Sequence, residues 1–517
     1  MFAGLPDRYN AAVDILDSAL EAGLGAKVAV RTASGDTTYN EVAELANRWG
    51  NALAALGVEQ EDRVLVALLD TVEFPATFFG AIKAGAVPIP VNTNLTADDY
   101  AYYLADSRAK VVIVSEPLLP VMLEAAKGQG HLKHVIADAE WRRLVEQADP
   151  ELTPADTGRD DMCFWLYTSG TTGRPKAAVH LQHDMRFCID CYAKPILNMT
   201  ADDVTFSVAK LYFAYGLGNA LFFPFAMGAT TVLNAAPPTP PTVIEHVRRF
   251  RPTIYYGVPT SYAALLAAEP EVWAGADFSS VRVCVSAGEP LSGSLLERWK
   301  ARTGVDILDG IGSTECAHIF ITNRLDDIRP DCSGRVVEGY GAKVVDDQGV
   351  EVPDGEVGNL MVSGDSICAF YWNQHERTKA AIKGEWIDTG DKYTRDSGGY
   401  FRYQGRSDDM LKVSGIWVSP VEVEAAINSH PAVLESAVVG VLDENRLVRP
   451  EAHVVLQPGS QPAVELEEEL RGYLRERLAH HKCPREFHFV DSLPKTATGK
   501  IQRYLLREAG AAKPVTA

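Results

Sequence analysis

The sequence predicts an α/β protein: a large N-terminal domain of mixed sheets covered by helices, followed by a small, mobile α+β C-terminal domain. Three observations predict it. Short apolar runs alternate with amphipathic stretches of helical length up to about residue 400, the pattern of strands joined by helical crossovers. The chain has 517 residues, more than one core ordinarily organises at about 100–200 residues per domain. Near residue 404 the pattern changes to a polar, glycine-punctuated segment followed by a second, compact set of strands and helices.

In chain order, Thr38 to Leu56 reads as an amphipathic helix, and Arg63–Leu69 and Lys110–Ser115 read as buried strands. Leu211 to Leu233 carries no charge. Because Gly216, Gly218, Asn219, Pro224 and Gly228 interrupt it, it reads as a buried helix and a core strand, not a membrane span. Ala235 to Thr242, AAPPTPPT, reads as a surface loop. Thr253–Val258 and Val281–Gly288 are further strands, and Gly398–Gly399 is a turn. Ser419-Pro420-Val421-Glu422 has the spacing of a capping box opening a helix. Strands Glu435–Val441 and Glu451–Gln457 and a charged helix, Val464 to Ala479, complete the small domain. The expected division is an N-terminal domain over 1–404, a hinge over 405–409 and a C-terminal lid over 410–517.

The formal charge is −20, from 69 acidic and 49 basic residues. That excludes a cationic nucleic-acid binder, so any anionic ligand must be held by local positive groups. Eight cysteines are scattered along the chain. Cys188 and Cys191 form a lone CxxC pair, short of the four ligands of a structural zinc site. The pattern suits a reducing cytoplasm. MFAGLPDRYN lacks the apolar core of a signal peptide, and a cytoplasmic location is expected. A homodimer is one assembly compatible with the sequence.

The segment CFWLYTSGTTGRPKA places an apolar strand before Thr168, Ser169, Gly170, Thr171, Thr172 and Gly173, and then Lys176. Glycines let backbone N–H groups approach a phosphate, hydroxyls donate to its oxygens, and lysine supplies a point charge. The alternative is a polar hairpin loop. The spacing fails the GxxxxGK[ST] rule, which excludes a P-loop kinase or ATPase.

YTSGTTGRPK resembles the signature of the adenylate-forming superfamily of acyl- and aryl-CoA synthetases, peptide-synthetase adenylation domains and luciferases. Further motifs appear in order, so the resemblance spans nearly the whole chain. Ser286 to Pro290 resembles the adenine-pocket segment, implying Ala287, Gly288, Glu289 and Pro290 at the nucleotide. Asp309 to Glu315 (DGIGSTE) resembles the segment in which a threonine meets the α-phosphate and a glutamate binds Mg²⁺, which implies Thr314 and Glu315 as catalytic residues and Asp309, Gly310 and Ile311 near the base. Ile311 departs from the tyrosine that many members stack on adenine. WIDTGD resembles the ribose-binding segment, with Asp391, and GRSDD resembles the hinge, with Arg406 near the ribose and Asp408 as pivot. PKTATGKIQR resembles the C-terminal catalytic loop, with Lys500 as its lysine. Lys412 and Gly415 fall where members form the pantetheine tunnel.

The resemblance implies ATP, Mg²⁺ and coenzyme A as partners of a small carboxylic acid. AKLYFAYGLGN and GIGSTE with His318-Ile319-Phe320 resemble the benzoate-type CoA ligases. Many superfamily members carry histidine where Phe213 stands. By that resemblance Phe213, Ala214, Tyr215, Gly312, Cys316, Ala317 and His318, with Ile311, line a flat pocket for an aryl ring. Tyr215 has an alternative role as plain core packing. Benzoate-type members have Glu-Met-Leu-His where this chain has Glu315-Cys316-Ala317-His318, and the two smaller side chains suggest room for a ring substituent. A substituted benzoate is therefore expected, 2-aminobenzoate (anthranilate) first, then benzoate, with ring-hydroxylated acids as further options. Two rival readings are a free-standing adenylation enzyme that loads an acyl carrier protein, although no carrier domain follows Lys500, and a non-catalytic ATP or AMP sensor.

Overall fold

The computed structural model describes residues 4–168, 174–407, 409–413, 416–442, 448–495 and 501–511. It is an α/β structure with a large N-terminal and a smaller C-terminal domain. A nine-stranded sheet runs in the order Arg335–Val336, Ile319–Thr322, Ile307–Gly312, Val283–Ser286, Ile254–Gly257, Val204–Ser207, Thr230–Val232, Val28–Thr32, Gly35–Thr38. Its central strands are parallel, and antiparallel hairpins close both edges. Parallel strands need helical crossovers that cover both faces, and this explains the continuous apolar runs seen in the sequence. A four-stranded parallel sheet has the order Val87–Pro90, Arg63–Ala67, Val111–Val114, His134–Ala137.

Helix Tyr39–Ala55 opens at Thr38, whose side chain accepts from the Glu41 N–H while the Glu41 carboxylate accepts from the Thr38 N–H. It buries Val42, Ala46, Trp49 and Leu53, one stripe of a helix of 3.6 residues per turn. The uncharged stretch 211–233 folds into short helical turns, Ala214–Leu217, Gly218–Phe222 and Phe223–Ala226, followed by the core strand Thr230–Val232. The middle turn is π-helical, a widened form common at functional sites. Among the described residues no helix is long and apolar enough to cross a membrane.

Three local expectations need correction. The loop after Asn234 is three residues shorter than expected, because Pro240 and Pro241 occupy the first turn of helix Pro240–Phe250, where no N–H partner is required. Ser419 caps helix Pro420–Asn428 by accepting from the Glu422 N–H, but the Glu422 carboxylate pairs with the Lys482 ammonium at 2.6 Å and completes no capping box. The charged helix is Val464–Arg475, ending four residues early.

In the C-terminal part, Val433–Leu442 pairs antiparallel with Val448–Leu456, which pairs parallel with Glu486–Phe489. Val423, Ile427, Leu470 and Leu474 cover one side with Val438 and Val454, while Leu506 of helix Arg503–Ala511 packs with Ala437, Val439 and Leu493.

Candidate active site

An antiparallel hairpin forms the centre of the site. Met162–Thr168 pairs with Lys176–Leu181, and Thr168 lies opposite Lys176. Ser169, Gly170, Thr171, Thr172 and Gly173 between them lie outside the described residues, as do Asp408, Gly415, Lys500 and the side chain of Lys412. Lys176 opens its strand, mostly buried, with Nζ 3.2 Å from Glu315 Oε1 and 3.8 Å above the Tyr371 ring. The Tyr371 hydroxyl donates to the same Oε1 at 2.8 Å. Burial alone would raise the Glu315 pKa, but the Lys176 charge and the Tyr371 hydrogen bond more than offset it and hold the carboxyl below its usual range. An ionised carboxylate is what a hard divalent cation requires, so Glu315 suits Mg²⁺.

Tyr371 reaches the site because Phe370–Tyr371 adds to the hairpin, with Tyr371 opposite Ala178. His180, four residues beyond Lys176 on the same strand, is completely buried and stacks on Phe164. Its Nδ1 lies 2.7 Å from Asp184 Oδ2 and its Nε2 lies 2.9 Å from the Thr314 carbonyl oxygen. The ring is thus fixed at both nitrogens, one against the Asp184 carboxylate and the other against the Thr314 carbonyl. His180 thereby anchors the short turn Thr314–Cys316, which Ser313 caps by accepting from the Cys316 N–H. Neither Tyr371 nor His180 was identifiable from sequence, because Tyr371 arrives by strand pairing and His180 acts through a side-chain contact to a segment distant in the chain.

Strands Val283–Ser286 and Ile307–Gly312 run parallel, with Ser286 opposite Asp309, and their ends bring the segments 287–290 and 309–312 side by side. Ala287 is buried, and Gly288 has φ +91° with open space around it. Pro290 is exposed, and the Glu289 carboxylate accepts from the Thr260 N–H at 3.4 Å. Asp309 and Gly310 are buried, and burial pushes the Asp309 carboxyl well up, while Ile311, Gly312 and Thr314 are partly exposed. Asp391 lies opposite Arg406 in another sheet, and the Arg406 guanidinium donates to Asp391 Oδ1 at 3.0 Å and to the Thr389 carbonyl oxygen at 3.1 Å.

Phe213, Ala214 and Tyr215 are partly exposed, as are Ile311 and Gly312. The Tyr215 hydroxyl donates to the Val285 and Gly257 carbonyl oxygens at 3.1 and 3.2 Å, so the ring is held against the ends of two central strands. His318 lies behind this wall, 2% exposed, among Tyr192, Tyr215, Phe222 and Phe223, with ring-centroid distances of 4.5–6.5 Å. Burial lowers its pKa to about 3, so the ring is neutral. Its Nε2 pairs with Asn219 Oδ1 at 3.0 Å, and its Nδ1 has no hydrogen-bond partner among the described residues. Cys316 and Ala317 are fully buried, and the Cys316 carbonyl oxygen accepts from Ser366 Oγ at 2.8 Å and Cys188 Sγ at 3.7 Å. Cys188 and Cys191 lie in the same core, their thiol pKa values pushed up to about 12 by burial.

The profile of the AMP-binding enzyme family matches residues 19–372, and that of the AMP-binding enzyme C-terminal domain matches residues 422–500. The chain is similar to the benzoate–CoA ligase of Thauera aromatica, 49% identical over 98% of this chain and 97% of that one. Among solved structures it resembles the anthranilate CoA ligase AuaEII in complex with anthranoyl-AMP, with TM-score 0.95 and 42% identity over 98% of this chain and 99% of that one. It also resembles a benzoate CoA ligase from Burkholderia xenovorans LB400, with TM-score 0.90 and 45% identity over 96% of this chain and 100% of that one.

Proposed function

Because the chain belongs to the AMP-binding enzyme family and is an AMP-forming aryl-CoA ligase, we propose that its acid is a monocyclic benzoate, with 2-aminobenzoate first. In the first half-reaction a carboxylate oxygen bonds to the α-phosphorus of ATP and the bond to pyrophosphate breaks, giving aryl-AMP. In the second, a CoA thiolate attacks the acyl carbon and AMP leaves.

The chain's own groups divide this work. Lys176 and the loop before it hold the negative charge that builds on the departing pyrophosphate. The Thr314 hydroxyl donates to the α-phosphate, with His180 fixing its backbone. Asp391, kept in place by Arg406, accepts from the ribose hydroxyls. Lys500 bridges the attacking carboxylate and the α-phosphate, where one well-placed donor is typically worth about 3–4 kcal/mol. Glu315 would hold Mg²⁺, which when bound partly neutralises the two anions. Asp408 is the pivot about which the lid would withdraw Lys500 and bring Lys412 and Gly415 to the pantetheine path.

The aryl reading is carried by the wall of Phe213, Ala214, Tyr215, Ile311 and Gly312, backed by a neutral, buried His318. The likeness to the anthranilate CoA ligase structure, with TM-score 0.95, favours the 2-amino acid, and a site that bonds a substituent discriminates strongly for it. Full burial of Cys316 and Ala317 favours a second reading, unsubstituted benzoate, because the room expected from their small size is closed.

A CoA-ligation assay over benzoate, 2-aminobenzoate and the hydroxybenzoates separates them. A kcat/KM for benzoate far above every substituted acid would reject 2-aminobenzoate. A holo-carrier protein accepting the acyl group while free CoA does not would reject CoA as acceptor. In the same assay Lys500→Ala is expected to abolish adenylation and largely spare thioester formation from synthetic aryl-AMP. Equal loss of both steps would remove Lys500 from its role.

A further inference from the structure

We propose that the C-terminal domain carries a binding site for a divalent transition-metal ion of the zinc class, formed by Glu451, Glu486 and His488 with His453 beside them. Strands Val448–Leu456 and Glu486–Phe489 run parallel, with Glu451 opposite Glu486 and His453 opposite His488. Side chains alternate along a strand, so these four residues share one face and form a two-by-two patch of carboxylates and imidazoles.

Donor atoms of Glu451, Glu486 and His488 all lie within 4.8 Å of one another. His488 Nε2 is 2.9 Å from Glu451 Oε2 and 3.8 Å from Glu486 Oε2. A tetrahedral ion with bonds of about 2.0–2.2 Å needs donors about 3.3–3.6 Å apart. The two separations bracket that spacing, so small side-chain shifts would admit the ion. The His453 ring is 4.8 Å from that of His488 and 7% exposed, close enough to serve as a fourth ligand or to fix the His488 ring.

The donor set chooses the metal. Calcium and magnesium take oxygen ligands, whereas imidazole with carboxylates suits zinc, nickel or copper. The competing explanation is a simple His488–Glu451 hydrogen bond with Glu486 nearby. That bond leaves His488 Nε2 3.8 Å from Glu486, beyond hydrogen-bond reach, whereas a cation would draw both carboxylates and the ring nitrogen together. The site belongs to neither the nucleotide nor the acid machinery. Strand Glu486–Phe489 leads through 490–495 into the segment that carries Lys500, so an ion joining it to Glu451 would brace that segment at its base.

Zinc titration of the full, untagged, metal-free chain by calorimetry tests this. One saturable site is expected, weakened about tenfold or more in His488→Ala and in Glu451→Gln, with a zinc-induced rise in melting temperature that both variants lose. Glu486→Gln, at an exposed position, keeps the test decisive if His488→Ala fails to fold. Aryl-CoA ligation assayed with Mg-ATP and without zinc is expected to be unchanged in all three. Absence of saturable binding, or affinity within twofold of wild type in every folded variant, would overturn the proposal.

Discussion

Tyr371 is the residue of the site that the order of the chain conceals. Lys176 and Glu315 each belong to a contiguous motif whose residue types announce phosphate and metal chemistry. Tyr371 sits in an unremarkable apolar run and reaches Glu315 only through strand pairing with Ala178. A hydrogen bond to a charged group is worth about 1.5–3 kcal/mol. Tyr371→Phe keeps the ring beneath Lys176 and removes that bond. We expect kcat/KM for Mg-ATP to fall about tenfold or more, with the aryl-acid KM little changed, and an unaltered Mg-ATP dependence would remove Tyr371 from the site. His318 gives a second prediction. Its folded pKa of about 3 lies below the ordinary 6.5, so the unfolded chain takes up the proton first as pH falls. Its contribution to stability is therefore complete above pH 6.5 and is lost as pH falls from 6.5 towards 3. At pH 5 the loss amounts to about 2 kcal/mol. His318→Phe should show a smaller fall in melting temperature between pH 7 and pH 5 than wild type, and an equal fall in both proteins would reject the assignment.

Among the elements, strands and helices of the large domain were readable because their apolar periods are long, as in Thr38 to Leu56. What the sequence concealed has two sources: prolines that open helix Pro240–Phe250 instead of extending the loop, and a contact between distant segments that diverts Glu422 to Lys482. The π-helical turn Gly218–Phe222 is of the same kind. A Cβ on Gly218 would lie 2.4 Å from His318 Cδ2 and 2.9 Å from its Nε2. Only glycine lets the turn approach the ring this closely, so the turn sets the position of the pocket's rear wall. Gly218→Ala should therefore displace His318 and lower kcat/KM for the aryl acid while leaving the KM for ATP near wild type. Overpacking of this kind costs roughly 1–3 kcal/mol. Unchanged aryl-acid kinetics in a folded Gly218→Ala protein would show that the wall is not built this way.

For the whole molecule, the last helix matters most. Arg503 donates to both carboxylate oxygens of Glu424 at 2.9 Å and lies 3.7 Å from Asp409, and Arg507 also pairs with Asp409. Burial works to lower the Arg503 pKa, but the Glu424 and Asp409 carboxylates raise it above its usual value. All four residues lie on the C-terminal side of Asp408, so a swing pivoting there would carry the cluster as one body. The hydrogen bond from Ser419 Oγ to the Gln404 carbonyl oxygen joins segments on either side of Asp408 and would have to break in such a swing. Removing one partner of a buried ion pair costs about 3–5 kcal/mol. Glu424→Gln should lower the C-terminal domain's unfolding temperature in calorimetry of the full chain while ATP binding by the large domain persists. An unchanged thermogram would refute the clamp.

The Lys176–Glu315 pair has a consequence for how ligands arrive. A nucleotide without its cation would claim the ammonium and leave a bare, mostly buried carboxylate. A cation without its nucleotide would strand the ammonium instead. Joint arrival would leave neither group without a counter-charge, so free ATP and free Mg²⁺ should each bind feebly, and their affinities should rise together. Measured separately and then together by calorimetry, the two should show strong positive synergy, and Glu315→Gln should largely erase it.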